Sequence, residues 1–364
     1  MNALLRFSAI AFCALLALPA LAAQRTFVAS TGLDTNACSI TSPCRSFTRA
    51  LTLTDANGEV IVLDSAGYGA FSITQPVSVI APEGVYAGIS VFAGAPNSSH
   101  GIVVNGAGIK VTLRGLTING QGGDDGIRIV NAGDIFIERV TVASTGNDGA
   151  DAGIRVASGA RVFISDSAVR GTAGRGIMIQ ANAAVHVDRS RIEGNGDIGI
   201  FGLSPGGRLR VSDSLVSESQ AHGITVNSTA LGTWEITVAR STVEGNAMNG
   251  VFVGAGTSGT YRVAVTDSVV HRNSAIGVLL FAGTGETATA LVGDNRILGN
   301  AFAGIRCDGS GTGALVAERN EVVNNGSAFD QAGSCTFESL CNNAARRNSS
   351  TDAGTISIPV PALR

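Results

Sequence analysis

The sequence is short of lysine and aromatic residues, and these shortages exclude some classes of protein. Lys110 is the single lysine, the formal net charge is −3, and aromatic residues make up 5% of the chain. A nucleic-acid-binding protein needs a basic stripe along one face, so we expect no nucleic-acid partner. Beyond the amino-terminal segment, no stretch is long and apolar enough for a transmembrane helix, so we expect no membrane span.

The amino-terminal segment has the parts of a secretory signal peptide. Arg6 provides positive charge, Ala9 to Leu18 form a short apolar run, and small residues follow Pro19 up to Ala23. This order is typical of a segment that is removed during export. We therefore predict a signal peptide over residues 1–23 and a mature protein that is secreted or periplasmic.

Cysteine is missing from the whole middle of the chain. Five cysteines remain after the signal peptide, and they lie near the two ends: Cys38, Cys44, Cys307, Cys335 and Cys341. Export permits disulfides, whereas no CxxC or cysteine–histidine spacing indicates a metal site. We predict a Cys38–Cys44 disulfide and a second disulfide from Cys307 to either Cys335 or Cys341.

Glycine is abundant, with 48 residues, and short Val- and Ile-rich segments lie between the glycines. A glycine followed by an apolar–x–apolar triplet recurs nine times at intervals of 23 to 27 residues. The glycines are Gly101, Gly126, Gly153, Gly176, Gly199, Gly223, Gly250, Gly277 and Gly304. A second alternating strand follows each triplet, as at Val162, and a third begins a few residues later, as at Val169. Three short strands per repeat, without a helical segment, predict one triangular coil per repeat.

Stacking of these coils predicts an all-β parallel β-helix solenoid of about ten coils with capped ends. One coil alone can neither bury its inward Ile and Val side chains nor pair its strand edges, whereas stacked coils do both. We assign residues 24–58 to an amino-terminal cap, 59–325 to the β-helix and 326–364 to a carboxy-terminal cap or tail. Within the first cap, residues 46–51 are expected to form a short amphipathic helix.

Small polar residues and charges recur at fixed positions of the coils. One column at the second turn contains Ser167, Ser190, Ser214, Ser241, Ser268, Asn295 and Asn320, and another contains Asn195, Asn246, Asn273 and Asn300. We expect these side chains to form hydrogen bonds from coil to coil. A third column alternates in sign through Arg139, Asp166, Arg189, Asp213, Arg240 and Asp267. We interpret it as a structural charge ladder, because like charges stacked this closely would repel.

This coil pattern, together with the cysteine-bounded start from Thr26 to Phe47, resembles the pectin-lyase-like superfamily of right-handed β-helix proteins. The resemblance covers roughly residues 59–325, and the right-handed sense of the coils is implied by it. The superfamily includes polysaccharide lyases, polysaccharide hydrolases, uronate epimerases and non-catalytic surface proteins. A shared fold of this kind does not define an activity.

The motifs of polygalacturonases are not met. Asp124–Asp125 and His222–Gly223 look similar to two of them. However, Asp125 and His222 lie four coils apart, on the order of 19 Å at the spacing of parallel strands. Acid–base chemistry at one centre requires hydrogen-bond reach, so the hydrolase interpretation fails.

Acidic residues are concentrated in two glycine-rich turns on neighbouring coils. Asp124 and Asp125 lie in the first turn, and Asp148 and Asp151 lie in the second. Asp124 and Asp151 occupy equivalent positions, which brings their carboxylates within roughly 5 Å. Oxygen ligands in flexible turns suit calcium, so these four residues are the candidate calcium ligands.

Basic residues flank the same turns. Arg128 and Arg155 lie on the outward side of the following strands, and His100 lies one coil before Arg128. β-Elimination from a uronate needs a positive group beside the carboxylate and a base for the C5 proton, so these three are the candidate catalytic residues. His100 beside Asp125 also keeps an epimerase open. The structural alternative is that the turns are merely stable and that the arginines pair with nearby acids.

Outward side chains form the remaining candidate site. Arg175, Phe136, Phe163 and Phe201 are candidate substrate-binding residues on a long, shallow strip, unless turns cover them or they simply stack. We favour an exported β-helix that binds a polysaccharide or a cell-surface partner without catalysis. A calcium-assisted polyuronate lyase is the alternative.

Overall fold

The computed structural model describes residues 23–94, 99–254, 256 and 258–358. Except for Ala23, the predicted signal peptide lies outside the described residues. Within them, the chain forms one helix, Phe47–Leu53, and three long sheets of 14, 11 and 12 strands. Each coil contributes one strand to each sheet, and successive coils pair in parallel, as Ile127–Ile129 pairs with Ile154–Val156. The predicted all-β parallel solenoid is confirmed, with about twelve coils instead of ten.

The strand bounds follow the triplet pattern of the sequence. The 11-stranded sheet consists of Phe71–Ile73, Ile102–Asn105, Ile127–Asn131, Ala152–Val156, Arg175–Ile179, Ile200–Ser204, Ile224–Ser228, Val251–Gly254, Val278–Phe281, Ala303–Asp308 and Ser327–Gln331. The 14-stranded sheet consists of Ala23–Val28, Thr54–Val62, Val77–Ile80, Lys110–Arg114, Asp134–Glu138, Arg161–Ser165, Ala184–Asp188, Gly207–Ser212, Thr233–Ala239, Gly259–Thr266, Glu286–Gly293, Thr312–Glu318, Thr336–Ser339 and Ile356–Ser357. The 12-stranded sheet consists of Ala66–Gly67, Ala87–Phe92, Leu116–Gln121, Thr141–Ala143, Ala168–Arg170, Arg191–Glu193, Leu215–Ser217, Thr242–Glu244, Val269–His271, Arg296–Leu298, Glu321–Val323 and Ala344–Arg346.

The core is a single apolar column inside the coils. Alternate residues of each strand point inward, so that Ile127 and Ile129 are fully buried while Arg128 between them reaches the outside. Burial of one such side chain contributes about 1.5–3 kcal/mol. The outward residues of the same strands are not constrained by packing in the core, and they form the outer surface of the solenoid.

The repeated glycine is required by the approach of one coil to the next. A Cβ atom on Gly250 would lie 2.7 Å from the carbonyl oxygen of Gly277, and the same clash recurs between Gly277 and Gly304 at 2.6 Å. Any side chain would push the coils apart at the point where the 11-stranded sheet begins. The glycine period therefore marks the tightest coil-to-coil contact.

The polar columns form continuous hydrogen-bonded ladders, as predicted. In the serine column, the backbone N–H of Ser167 donates to Ser190 Oγ at 3.1 Å, and the N–H of Ser190 donates to Ser214 Oγ at 3.0 Å. In the asparagine column, Asn273 Nδ2 donates to Asn300 Oδ1 at 2.9 Å. These side chains are buried and satisfy backbone groups at the turns, where strand pairing stops.

The alternating charges form ion pairs on the surface. Arg189 donates to both carboxylate oxygens of Asp166 at 2.9 and 3.0 Å, and Arg240 pairs in the same way with Asp213. Each of these residues has a positive φ, between 43° and 51°, so the column also marks a sharp left-handed turn. Exposed pairs of this kind contribute little to stability.

A short helix covers the amino-terminal end of the solenoid. Ser46 caps the helix Phe47–Leu53 by accepting from the N–H of Arg49 at 3.1 Å, and the predicted Cys38–Cys44 disulfide is present beside it. At the other end, strands continue as far as Ile356–Ser357, which pairs with Phe337 and Glu338. Cys307 forms its disulfide with Cys335, and Cys341 is exposed.

The ladders predict a stability effect. In Asn273→Ala, the N–H of Asn246 and the carbonyl of Val243 both lose buried partners. We expect the free energy of unfolding, measured by denaturant titration with circular dichroism, to fall by about 2–4 kcal/mol. Asn182→Ala is the matched control, because Asn182 is exposed and makes no side-chain hydrogen bond among the described residues. Equal losses in the two variants would contradict a stabilising ladder.

Candidate functional site

The predicted acid–arginine patch lies where the chain enters the strand Ile127–Asn131, and Asp125 is its centre. Asp125 is 0% exposed. Its Oδ1 accepts from the backbone N–H of Ala152 at 2.9 Å and from Arg155 Nη2 at 2.8 Å. Its Oδ2 accepts from Arg155 Nε at 2.7 Å and from Arg128 Nη1 at 3.2 Å. A carboxylate has about four acceptor positions, and these bonds use them.

Arg155 is the buried partner of this carboxylate. Besides Asp125, its guanidinium donates to Gln180 Oε1 at 3.0 Å and to the carbonyl oxygen of Ala150 at 2.6 Å, and Nη1 lies 3.5 Å from Met178 Sδ. Its side chain is 9% exposed. The predicted catalytic arginine is therefore part of a hydrogen-bonded network that links three coils.

Arg128 and His100 form the accessible side of the cluster. The Arg128 side chain is 37% exposed, and its Nη1 lies 3.2 Å from His100 Nε2. The backbone N–H of Asp125 donates to His100 Nδ1 at 3.2 Å. Burial, assisted by the two arginines, lowers the pKa of His100 below its ordinary value of 6.5 although Asp125 and Asp124 oppose the shift. His100 is therefore neutral at pH 7.

The other predicted acids hold their own turns together. Asp151 Oδ2 accepts from the backbone N–H groups of Asn147 at 2.8 Å and Asp148 at 3.3 Å. Asp148 Oδ1 accepts from the N–H of Ala150, and Asp124 Oδ1 accepts from Asn147 Nδ2 at 2.8 Å. In the part of the chain that the structure describes, no three His, Cys, Asp or Glu side chains are grouped to hold a metal ion. The calcium assignment stays a prediction.

Arg175 and Phe201 lie next to each other, but Phe201 is covered. The Arg175 guanidinium lies 5.3 Å from the Phe201 ring centroid and 3.0 Å from Asp197 Oδ2. Phe201 is 7% exposed, because it packs with Met178 and Ile198 in a small apolar cluster outside the main core. The turn containing Ile198 thus closes over this part of the outward column.

Phe136 and Phe163 stack on the outer side of the 14-stranded sheet. Their ring centroids are 5.0 Å apart with 9° between planes, and the His186 ring continues the stack at 5.1 Å from Phe163. Lys110 Nζ covers the other end, 5.2 Å from the Phe136 centroid. Both faces of each phenylalanine are therefore occupied, and the stack offers ring edges to a ligand.

Two adjoining cavities on this sheet were not predicted from the sequence. One of about 360 Å³ is lined by Arg161, Arg208, Glu235 and Arg262, among others. The second, of about 660 Å³, shares Glu235 and Arg262 and extends to Leu291. Alignment of the outward positions of the second strand of each coil would have found the arginines, because Arg161, Arg208 and Arg262 fall in one column.

Comparisons with known proteins agree with this architecture. The model of a family described as right handed beta helix region matches residues 100–262. The structure of pectate lyase Pel9A is similar with a TM-score of 0.52 and 14% identity, covering 93% of this chain and 81% of that chain. The periplasmic alginate epimerase AlgG has a TM-score of 0.51 and 13% identity, covering 84% and 78%. No curated protein matches the sequence significantly.

The fold and its coil geometry define the class of this protein. It has the right-handed parallel β-helix fold of pectin-lyase-like proteins, as the sequence predicted. The identities to the solved structures are low, so these structures establish the fold alone. Among the described residues, no helix has the length and apolar character that are needed to cross a membrane.

The buried pair predicts a large difference between two similar substitutions. Arg155→Met leaves the buried Asp125 carboxylate without its main partner, so we expect the free energy of unfolding to fall by about 3–5 kcal/mol. Arg189→Met removes an equivalent bidentate pair with Asp166 on the surface and should leave stability almost unchanged. Denaturant titration of both variants tests this contrast. A small loss in Arg155→Met would show that Asp125 does not depend on this arginine.

Proposed function

We propose that this chain is an exported, non-catalytic β-helix that binds a polyuronate on the outer side of its 14-stranded sheet. The carrying observation is the pair of adjoining cavities there, of about 360 and 660 Å³. One is lined by arginines and the other by apolar side chains. Together they match a ligand with carboxylates and apolar ring faces, which is the chemistry of a uronic acid chain.

The smaller cavity is a notch between two arginines. Arg161 and Arg208 lie two coils apart with the small Ala184 between them. Arg161 uses Nε and Nη2 on Asp134, and Arg208 uses Nε and Nη2 on Glu235. Each guanidinium therefore keeps Nη1 for a ligand, and the acids fix its orientation. Arginine in this arrangement suits carboxylate recognition.

Two further arginines supply uncompensated charge. Arg210 and Arg262 are exposed, and neither forms an ion pair with any described residue. Arg262 lines both cavities, whereas Arg210 lies beside Arg208 on the same strand. A polyanion would gain charge-assisted hydrogen bonds here without losing an existing ion pair.

The larger cavity offers an apolar floor. Ala264, Leu291 and Val316 succeed one another on the outward side of three neighbouring strands, and Leu291 is 39% exposed. Sugar rings present apolar C–H faces, so a chain that lies along the solenoid axis would place its rings here and its carboxylates on the arginines.

Known proteins of this fold support the ligand class. The similar structures are those of a pectate lyase and an alginate epimerase, and pectate and alginate are both polymers of uronic acids. The two disulfides support export, because disulfides persist in oxidising compartments.

Arg161, Arg208, Arg210 and Arg262, which we call the arginine face, predict charge-dependent binding. Arg210→Ala with Arg262→Ala should weaken binding of a galacturonate oligomer at least tenfold in isothermal titration calorimetry, since two charge-assisted contacts are lost. Arg191→Ala, an exposed arginine on the 12-stranded sheet, should bind normally. The same oligomer with methyl-esterified carboxylates should bind poorly to the wild type. Equal affinity for both oligomers, or no effect of the double substitution, would contradict the proposal.

A second candidate is polyuronate β-elimination at His100. The favouring observation is a neutral His100 whose Nε2 lies 3.2 Å from the exposed Arg128 guanidinium. In neutral His100 the ring proton is on Nε2, because Nδ1 accepts from the N–H of Asp125. For His100 to act as the base, a substrate carboxylate would have to draw Arg128 away and the ring proton would have to move to Nδ1. Nε2 would then take the C5 proton as the C4–oxygen bond breaks, and the leaving oxygen would take a proton from water. The calcium-assisted lyase remains a variant of this candidate, centred on Asp124, Asp125, Asp148 and Asp151.

A lyase with this base has a defined pH profile. The base must be neutral, and burial lowers the pKa of His100 from its ordinary value, so activity should be at its plateau at neutral pH and fall as the pH drops through this lowered pKa. The ultraviolet absorbance of unsaturated uronate measures the product, and His100→Gln should abolish it. Loss of activity with chelator would favour calcium, and no absorbance with pectate or alginate would exclude elimination of these substrates.

A further inference from the structure

A third cavity lies at the carboxy-terminal end of the 11-stranded sheet, far from both regions described above. It measures about 360 Å³, and its lining includes Phe302, Arg306, Asp330 and Thr351. We call it the C-terminal pocket. Arg306 stands in the same outward column as Arg155 but six coils farther along, on the order of 29 Å away at strand spacing.

Two carboxylates hold one arginine beside this pocket. Arg306 Nη1 donates to Asp330 Oδ2 at 2.6 Å, and Nη2 donates to Asp308 Oδ2 at 2.6 Å. The second oxygen of Asp308 accepts from the backbone N–H of Gly309. Among the described residues, Asp330 Oδ1 has no hydrogen-bond partner. The pocket is therefore lined by a carboxylate that Arg306 holds through one oxygen, and its other oxygen can accept a hydrogen bond from a hydroxyl.

An exposed aromatic ring forms the neighbouring wall. Phe302 is 67% exposed, the largest exposed fraction of any aromatic side chain among the described residues. Its backbone is fixed, since its N–H donates to Ala275 and its carbonyl accepts from Ser327. The side chain therefore leaves the backbone at a fixed point and lines the same pocket as Asp330. The following strand, Ala303–Asp308, is tied by the Cys307–Cys335 disulfide.

These features select a class of ligand. A pyranose has an apolar C–H face, which suits an aromatic ring, and a rim of hydroxyls, which suit a charged acceptor and the Thr351 hydroxyl. Binding pockets for small ligands measure about 300–1,000 Å³, so a cavity of about 360 Å³ suits one sugar unit. The local charge of Asp308, Asp330 and Arg306 is net negative, which disfavours a uronate.

We propose that the C-terminal pocket binds a neutral sugar residue, with Phe302 under its ring and Asp330 Oδ1 accepting from a hydroxyl. This site is separate from the arginine face by sheet and by charge preference. It would bind sugars whether or not the arginine face binds polyuronates, so the two proposals fail independently.

The test measures binding of the mature protein to neutral hexasaccharides of glucose, mannose, galactose and xylose. Saturation-transfer NMR detects binding, and calorimetry gives the affinity. We expect at least one of the hexasaccharides to bind, with at least tenfold weaker affinity in Phe302→Ala and in Asp330→Asn. Phe302→Tyr should retain binding. Leu231→Ala is the control, because Leu231 is 84% exposed and does not line the pocket.

The outcomes are decisive because Phe302 is at the surface and its removal should not unfold the protein, which thermal melting checks. Arg210→Ala with Arg262→Ala should leave neutral-sugar binding unchanged. The proposal is overturned if no hexasaccharide binds at millimolar concentration, if Phe302→Ala binds as well as the wild type, or if the pocket prefers galacturonate oligomers.

Discussion

Parallel pairing between successive coils is the constraint on which the rest of the structure depends. It places each residue of one coil directly against its equivalent in the next, about 4.8 Å away. Identical buried amides and hydroxyls can then bond in series, as Asn273 does with Asn300. Bulk is excluded where the backbones approach most closely, which explains Gly250 and Gly277. Charges stacked at this distance attract when they alternate in sign, as Asp166 and Arg189 do. Where like charges are paired, as Arg128 is with Arg155, a shared acid, Asp125, lies between them.

The same constraint decides which charged residues remain available to a ligand. Arg161, Arg189 and Arg240 each pair with an acid of the same column one coil away. Arg155 differs, because it lies opposite Arg128 and pairs with the buried Asp125 of the turn that precedes Arg128. An arginine is available to a ligand where the alternation of acids and arginines in a column is interrupted. Ala184 opens a gap between Arg161 and Arg208. Arg262 lies opposite Glu235, but the Glu235 carboxylate binds Arg208, so Arg262 forms no ion pair with a described residue. Small residues in a repeat are thus as informative about function as charged ones.

The triplets and the Ser and Asn columns could be predicted from the sequence because they recur from coil to coil. The Cys38–Cys44 disulfide could be predicted because its two cysteines are close in sequence. The site could be predicted only in part. His100, Asp125, Arg128 and Arg155 do come together, but the full burial of Asp125 depends on the path of the turn to Ala152, which periodicity does not encode. Phe201 was placed in the correct column, yet the turn containing Ile198 covers it. The choice between Cys335 and Cys341 likewise depended on the position of a strand beyond the regular repeats.

The positions of the two proposed sites bear on the kind of glycan that could bind them. The arginine face lies on the 14-stranded sheet, whereas the C-terminal pocket lies on the 11-stranded sheet, and a bend of the coil separates the two. A straight polysaccharide that follows the solenoid axis stays on one sheet and cannot reach both. The uronate and the neutral sugar would therefore belong to separate chains, or to a backbone and its branch. A surface that recognises both at fixed positions is suited to holding a branched or mixed matrix, because neither ligand has to be processed along a groove.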